Sequence, residues 1–259
     1  MLVLTIGLAV YNFYIKPKTS TKTINTGAAL DLKKTMEGLT LLPTSTTGVL
    51  VAHDNYTLSY SEEHEQAEWV AYELKTAHLS RTKRKRPYFI RDKKIKTKSA
   101  HYKAYKNSGY DKGHLCPAGD RKFSKEAHDE TFLTSNISPQ KHSFNAGVWN
   151  RLEQKTRYWA RKYNGLFVVT GGILEENLPH IGREQVSVPK QFYKILYDES
   201  NQKAIAFLVP SEDSDAPLYT FVTSIDKIEM ATGIDFFYAL PDDLEDKIEA
   251  SADYKGWSF

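Results

Sequence analysis

One cysteine, Cys116, stands among 259 residues. An internal disulfide framework and a cysteine-built zinc cage are therefore excluded. No run of about 18 or more apolar residues occurs, so no ordinary membrane-spanning helix is encoded. Neither G-x-G-x-x-G nor a Walker-type phosphate loop is present, which leaves nucleotide-cofactor chemistry without support. There is no internal repeat. What is present is ordinary for a globular chain: 41% hydrophobic and 26% charged residues argue against intrinsic disorder. The length suits one large domain or two small ones, with a sizeable core in either case. Sixteen Tyr, twelve Phe and four Trp make that core rich in aromatics. The net charge of +3 hides a strong asymmetry. Residues 81–106 carry twelve Lys or Arg and one acid, Asp92, for +11, and the rest of the chain carries −8. A basic segment on a mildly acidic body points to an anionic partner at one place on the surface.

Along the chain, residues 1–18 read as an apolar signal or anchor. Residues 2–15 are mostly apolar and precede Lys16 and Lys18, the length of a secretory h-region or a short anchor. The alternative is a docked terminal strand or helix. Residues 19–47, rich in Thr, Ser, Lys and Gly, read as a tether, and a domain spans 48–259. Alternation over 48–60 predicts a strand. Ser61, followed by Glu62 and Glu63, predicts a capped helix whose apolar face is Ala67, Val70, Ala71 and Leu74. Further helices are expected from Ser124, over 143–163, over 224–232 ending at Gly233, and over 241–251. Strands are expected at 165–170, 192–197, 204–209 and 218–223. Strands and helices mix without regular βαβ alternation, which indicates an α+β fold with a mainly antiparallel central sheet and flanking helices.

Three segments carry residues suited to one chemistry: Asp111-Lys112-Gly113-His114, Asn136-Ile137-Ser138-Pro139-Gln140, and Phe144 to Glu153. On a helix, Asn145, Trp149 and Glu153 at i, i+4 and i+8 share a stripe. That stripe is equally a face packing Trp149 into the core with Glu153 solvated. Asn and Glu oxygens suit a hard cation such as magnesium rather than zinc. A histidine base, a hard cation and basic side chains are together what phosphodiester hydrolysis requires.

These segments resemble the DNA/RNA non-specific endonucleases, the family that includes endonuclease G. The family pattern of D-R-G-H, N-x-x-P-Q and N-x-G-x-W-x-x-L-E appears here as D-K-G-H at 111–114, N-I-S-P-Q at 136–140 and N-A-G-V-W-N-R-L-E at 145–153. The resemblance covers roughly residues 48–245 and implies a ββα-metal nuclease core. It also implies a magnesium-dependent endonuclease of DNA and RNA, with manganese able to substitute. It matches His114 to the general base, Asn145 to the one side chain that ligates the ion, and Glu153 to the acid that orders water around it. Asn136 and Gln140 match supporting polar residues near the substrate. Arg86, with Arg84 next, matches the upstream phosphate contact. Lys112 replaces the family's usual Arg, keeping the charge but losing the bidentate geometry. Tyr88, Phe89, Tyr102 and Tyr105 interleave with the cations, a pattern suited to stacking on unpaired bases. The competing readings are a catalytically silent nucleic-acid-binding domain of the same fold and a phosphodiesterase of small nucleotides. A base with an ordinary histidine pKa of about 6.5 gives a rate that rises through that pH. The N-terminal segment places the nuclease outside the cytoplasm, periplasmic or secreted, with a possible membrane tether through residues 2–15.

Overall fold

The computed structural model describes residues 41–259. The apolar segment 2–15 and residues 19–40 of the tether lie outside these residues. The lead-in ends earlier than expected, because residues 41–47 already dock on the fold. Leu42 is buried, Trp69 Nε1 donates to Thr44 O at 2.8 Å, and Thr46 N donates to Glu68 Oε1 at 3.0 Å.

In chain order the strands and helices are β1 Leu50–Ala52, β2 Thr57–Ser61, β3 Gln66–Leu74, β4 Asp111–His114, α1 Lys125–Glu130, β5 Ile137–Gln140, α2 Asn150–Lys162 and β6 Leu166–Gly172. There follow β7 His180–Ile181, β8 Val186–Ser187, β9 Gln191–Asp198, β10 Lys203–Pro210, β11 Val222–Thr223, α3 Ile225–Thr232 and α4 Asp242–Glu249. Seven strands form one sheet in the order β1-β2-β3-β6-β9-β10-β11, and every neighbouring pair is antiparallel. The α+β expectation holds.

Strand alternation sends successive side chains to opposite faces of the sheet and builds two cores. On one face Val70, Tyr72, Val168, Phe192 and Leu196 pack against Trp149, Leu152 and Trp159 of the α2 region. On the other Trp69, Ala71, Val169, Tyr193 and Ile195 pack against Ile225, Ile228 and Ile248 of α3 and α4. The hairpin β4–β5 is a separate two-stranded element. Among the described residues no helix is long and apolar enough to cross a membrane.

Three expectations need correction. The helix predicted after Ser61 is instead a tight turn and the central strand β3. Ser61 Oγ accepts from His64 N within that turn, and Glu65 adopts φ 52°. All but one residue of β3 are buried, since both faces of the strand are covered. Such a strand loses polar alternation, so its apolar residues also satisfy a helical spacing. The expected strand 48–60 is a hairpin, with the His53 amide donating to Tyr56 O at 2.9 Å between β1 and β2. The expected strand 218–223 is a 3-10 turn, Leu218–Phe221, followed by the two-residue β11.

Candidate active site

β4 and β5 pair antiparallel with Asp111 opposite Gln140 and His114 opposite Ile137. The chain then passes through a short helical turn, His142–Phe144, and a wide π-type turn, Asn145–Trp149, into α2. Gly147 kinks that turn with φ −91° and ψ −112°. The regular stripe expected for Asn145, Trp149 and Glu153 is therefore interrupted after Asn145. Wide turns of this kind are enriched at functional sites.

His114 lies in an aromatic box. Its ring stands 4.9 Å from Phe132, edge on, and 5.6 Å from Phe89. Arg86 lies over the same two rings, at 5.2 Å from Phe89 and 5.9 Å from Phe132, and Lys112 Nζ is 5.5 Å from Phe89. Phe89 is thus the hub of three polar groups. It is buried, so it and the equally buried Tyr105 are not available for base stacking; Tyr88 and Tyr102 remain exposed. His114 Nε2 is enclosed and has no hydrogen-bond partner. Burial, followed by the positive charge of Arg86 and by His128, pushes the imidazole pKa down to about 3. This favours the neutral ring and displaces the inflection near 6.5 expected for a solvated histidine.

The loop after His114 is clasped from two sides. Asn136 Oδ1 accepts from Cys116 N at 2.8 Å, and its Nδ2 donates to Cys116 O and Thr131 O at 3.0 and 2.9 Å. Asn136 and Gln140, expected near the substrate, are both fully buried. Gln140 instead explains Gly113: a Cβ there would lie 2.1 Å from Gln140 Oε1. Cys116 is buried, and burial pushes its thiol up to about 12, which makes it a packing residue.

On the other side stands a charge network. Arg157 joins Asp120 Oδ1 through Nε at 2.6 Å and Glu153 Oε2 through Nη2 at 2.9 Å, and Tyr72 OH donates to Asp120 Oδ2 at 2.9 Å. Gly119 admits Arg157, whose Nη2 would stand 2.7 Å from any Cβ at that position. Burial raises Glu153 to about 7 against the pull of Arg157. Glu153 is therefore a held carboxyl group rather than a solvated one. Lys194 is fully buried, with Nζ 4.8 Å over the Trp149 ring and no hydrogen-bond partner. Burial lowers its pKa, while Glu153 and Asp120 pull it back up.

Asn145 is fixed by Asp111, whose Oδ2 accepts from Asn145 Nδ2 at 2.9 Å and lies 2.9 Å from His142 Nδ1. Burial pulls the Asp111 pKa upward, but the hydrogen bonds from Asn145 and His142 prevail and lower it. With Nδ2 so engaged, Asn145 Oδ1 makes no hydrogen bond among the described residues. A free amide oxygen beside a carboxylate is a donor set that fits a hard cation. The sequence reading gave Asp111 only a flanking part and missed Asp120, Arg157, Lys194 and Phe132. Only Arg157, four residues after Glu153 on a helix, left a legible signal.

Lys83, Arg84, Lys85, Arg86, Tyr88 and Lys112 line a groove of about 1220 Å³. Arg84 is steadied by donating Nε to Lys122 O at 2.8 Å. The basic segment is anchored rather than loose. Buried Asp92 accepts from Ser135 Oγ at 2.7 Å and Lys94 N at 2.9 Å, and pairs with His53 Nε2 at 2.8 Å. His128 is buried.

A histidine-bearing antiparallel hairpin that runs into a helix, set against an antiparallel sheet, defines the ββα class of nuclease fold. The chain belongs to the DNA/RNA non-specific endonuclease family, whose model matches residues 40–243. It is 33% identical over 207 residues to the mitochondrial nuclease EXOG of Danio rerio, covering 73% of this chain but only 60% of that protein. It is 31% identical over 209 residues to the mitochondrial endonuclease G of Homo sapiens, covering 72% of this chain and 69% of that one. A chain of the solved EndoG/EndoGI complex, a structure concerned with the mechanism of EndoG inhibition, matches with a TM-score of 0.69 at 29% identity. That match covers 74% of this chain and 86% of the other.

Proposed function

We propose that the protein is a magnesium-dependent, sequence-tolerant endonuclease that hydrolyses phosphodiester bonds in DNA and RNA. The observation that carries this reading is a histidine boxed by Phe89 and Phe132 beside a cation-lined groove. His114 accepts a proton from an attacking water as the water oxygen bonds to phosphorus and the bond to the departing sugar oxygen breaks. Arg86, resting on the same aromatic rings, holds the phosphate. Lys83, Arg84, Lys85 and Lys112 hold the flanking backbone without reading bases, which gives sequence tolerance. Asp111 fixes Asn145 so that its free Oδ1 would hold a divalent cation. When bound, that cation supplies positive charge against the phosphate and the departing oxygen, and manganese would serve in place of magnesium. Glu153, locked by Arg157, orders water at the site. Family membership, the named relatives and the intact His114, Asn145 and Glu153 set support catalysis over silent binding, and the cations lining the groove favour a polyanion over small nucleotides.

Digestion of plasmid and RNA side by side, with magnesium or with chelator, tests the reading. Magnesium-dependent loss of both substrates is expected. Binding of both without cleavage would establish the silent alternative. The apolar segment 2–15 supports an extracytoplasmic setting, periplasmic or secreted, with or without a membrane tether. Fractionation that recovers the full-length protein from the cytoplasm would refute it.

A further inference from the structure

Helices α3 and α4 pack on the face of the sheet opposite the α2 region, with Ile225, Ile228 and Ile248 in the core between. Their polar edges bring three carboxylates together. Asp226 and Glu229, one turn apart on α3, and Glu249, the last residue of α4, each place an oxygen within 4.8 Å of the other two. None of the three forms an ion pair among the described residues. The surrounding charge offers no relief, since residues 224–250 hold eight acids against Lys227 and Lys247.

The helix dipole accounts for Asp226, which lies in the first turn of α3. It does not account for Glu249, which lies at the negative end of α4. Glu249 is only 7% exposed, and its Oε1 is enclosed without any hydrogen-bond partner. A buried carboxyl group facing two further carboxylates, with no donor, is a costly arrangement unless a proton or a cation completes it. Burial and the neighbouring acids push Glu249 up to about 8, so a cation at this place must displace a proton. Glu229 is already aligned, because its Oε1 accepts from Phe236 N at 2.8 Å. The donors are all oxygen, which excludes a preference for zinc or copper. Three carboxylates drawn from two helices, one of them exposed and open to water, suit the larger and more flexible shell of calcium better than the strict octahedron of magnesium.

We propose that Asp226, Glu229 and Glu249 form a structural calcium site that staples α3 to α4, separate from the nuclease centre. Thermal unfolding of the full chain after removal of divalent ions tests this, with calcium or magnesium added at constant ionic strength. Calcium at a hundredfold excess over its Kd should raise Tm by about 5–10 °C, and equal magnesium should do distinctly less. Glu249→Gln should abolish the calcium response and raise the calcium-free Tm. Asp226→Asn, at an exposed position that poses little risk to folding, should weaken the response. Asn145→Ala should leave it intact. Absence of a calcium shift in the wild type would overturn the proposal. So would an equal magnesium shift, or a calcium shift that survives Glu249→Gln and vanishes in Asn145→Ala.

Discussion

His114 is held in a setting that disfavours its charge, and this has consequences for stability as well as rate. In the unfolded chain the imidazole titrates near 6.5, and in the folded protein at about 3. Between those values the unfolded state binds a proton that the folded state refuses. Stability from this group is therefore fully present above about pH 6.5, falls as pH drops through the window, and levels off below about 3. His114→Phe should remove this dependence, so the variant should gain on the wild type in urea unfolding as pH falls from 7 to 4.5. Parallel curves would contradict the burial. Cleavage should likewise lack any inflection near 6.5 that vanishes with this residue. Gly113 is a second critical position, since its missing side chain makes room for Gln140. Gly113→Ala should cost about 2 kcal/mol by overpacking. Adding Gln140→Ala should recover much of that loss, and strict additivity in the double-mutant cycle would show that the two residues do not meet.

The element that assembles the site is α2, which ties the His114 loop to the sheet through Arg157. Arg157→Ala would strand Asp120, nearly fully buried, and Glu153 without their common partner. The expected loss is about 3 kcal/mol, or roughly 6–12 °C in Tm by thermal scan; a change under about 2 °C would mean that the network is idle. α2 was readable because one side faces solvent, and α1 and α3 announced themselves by Ser124 and Ser224, whose hydroxyls accept from Ala127 N and Lys227 N. β3 was misread because burial on both faces erased its period. The motifs singled out His114, Asn145 and Glu153, which lie on β4, at the turn after β5 and on α2. The sequence could not reveal that Asn136 turns inward to clasp Cys116, or that Phe132 and Phe89 come together around the imidazole. Those contacts join residues far apart in the chain, and no local pattern encodes them. Lys194 falls between: strand alternation puts it on the same face as Phe192 and Leu196, but only the fold brings it over Trp149.

Across the whole molecule, the basic segment divides into two parts. Lys83, Arg84, Lys85 and Arg86 line the groove beside the His114 box, together with Lys112. Lys94 instead donates to Ala52 O, and Thr97 reaches Glu62, so the 93–98 stretch lies along the β1–β2 side. Neutralising Lys83, Lys85 and Lys112 should therefore flatten the plot of log binding constant against log salt by about 2–3 for duplex DNA. Neutralising Lys93, Lys96 and Lys98 should leave the slope near that of the wild type; the reverse ranking would place the substrate on the other side of the segment. The central claim is that His114 supplies the base and Asn145 holds the ion. Single-turnover cleavage by the wild type, His114→Ala and Asn145→Ala across a magnesium titration tests it most directly. The account predicts that His114→Ala loses several orders of magnitude in rate at every magnesium concentration while still binding substrate, and that Asn145→Ala recovers part of its rate as magnesium rises. Near-normal turnover by His114→Ala would contradict it.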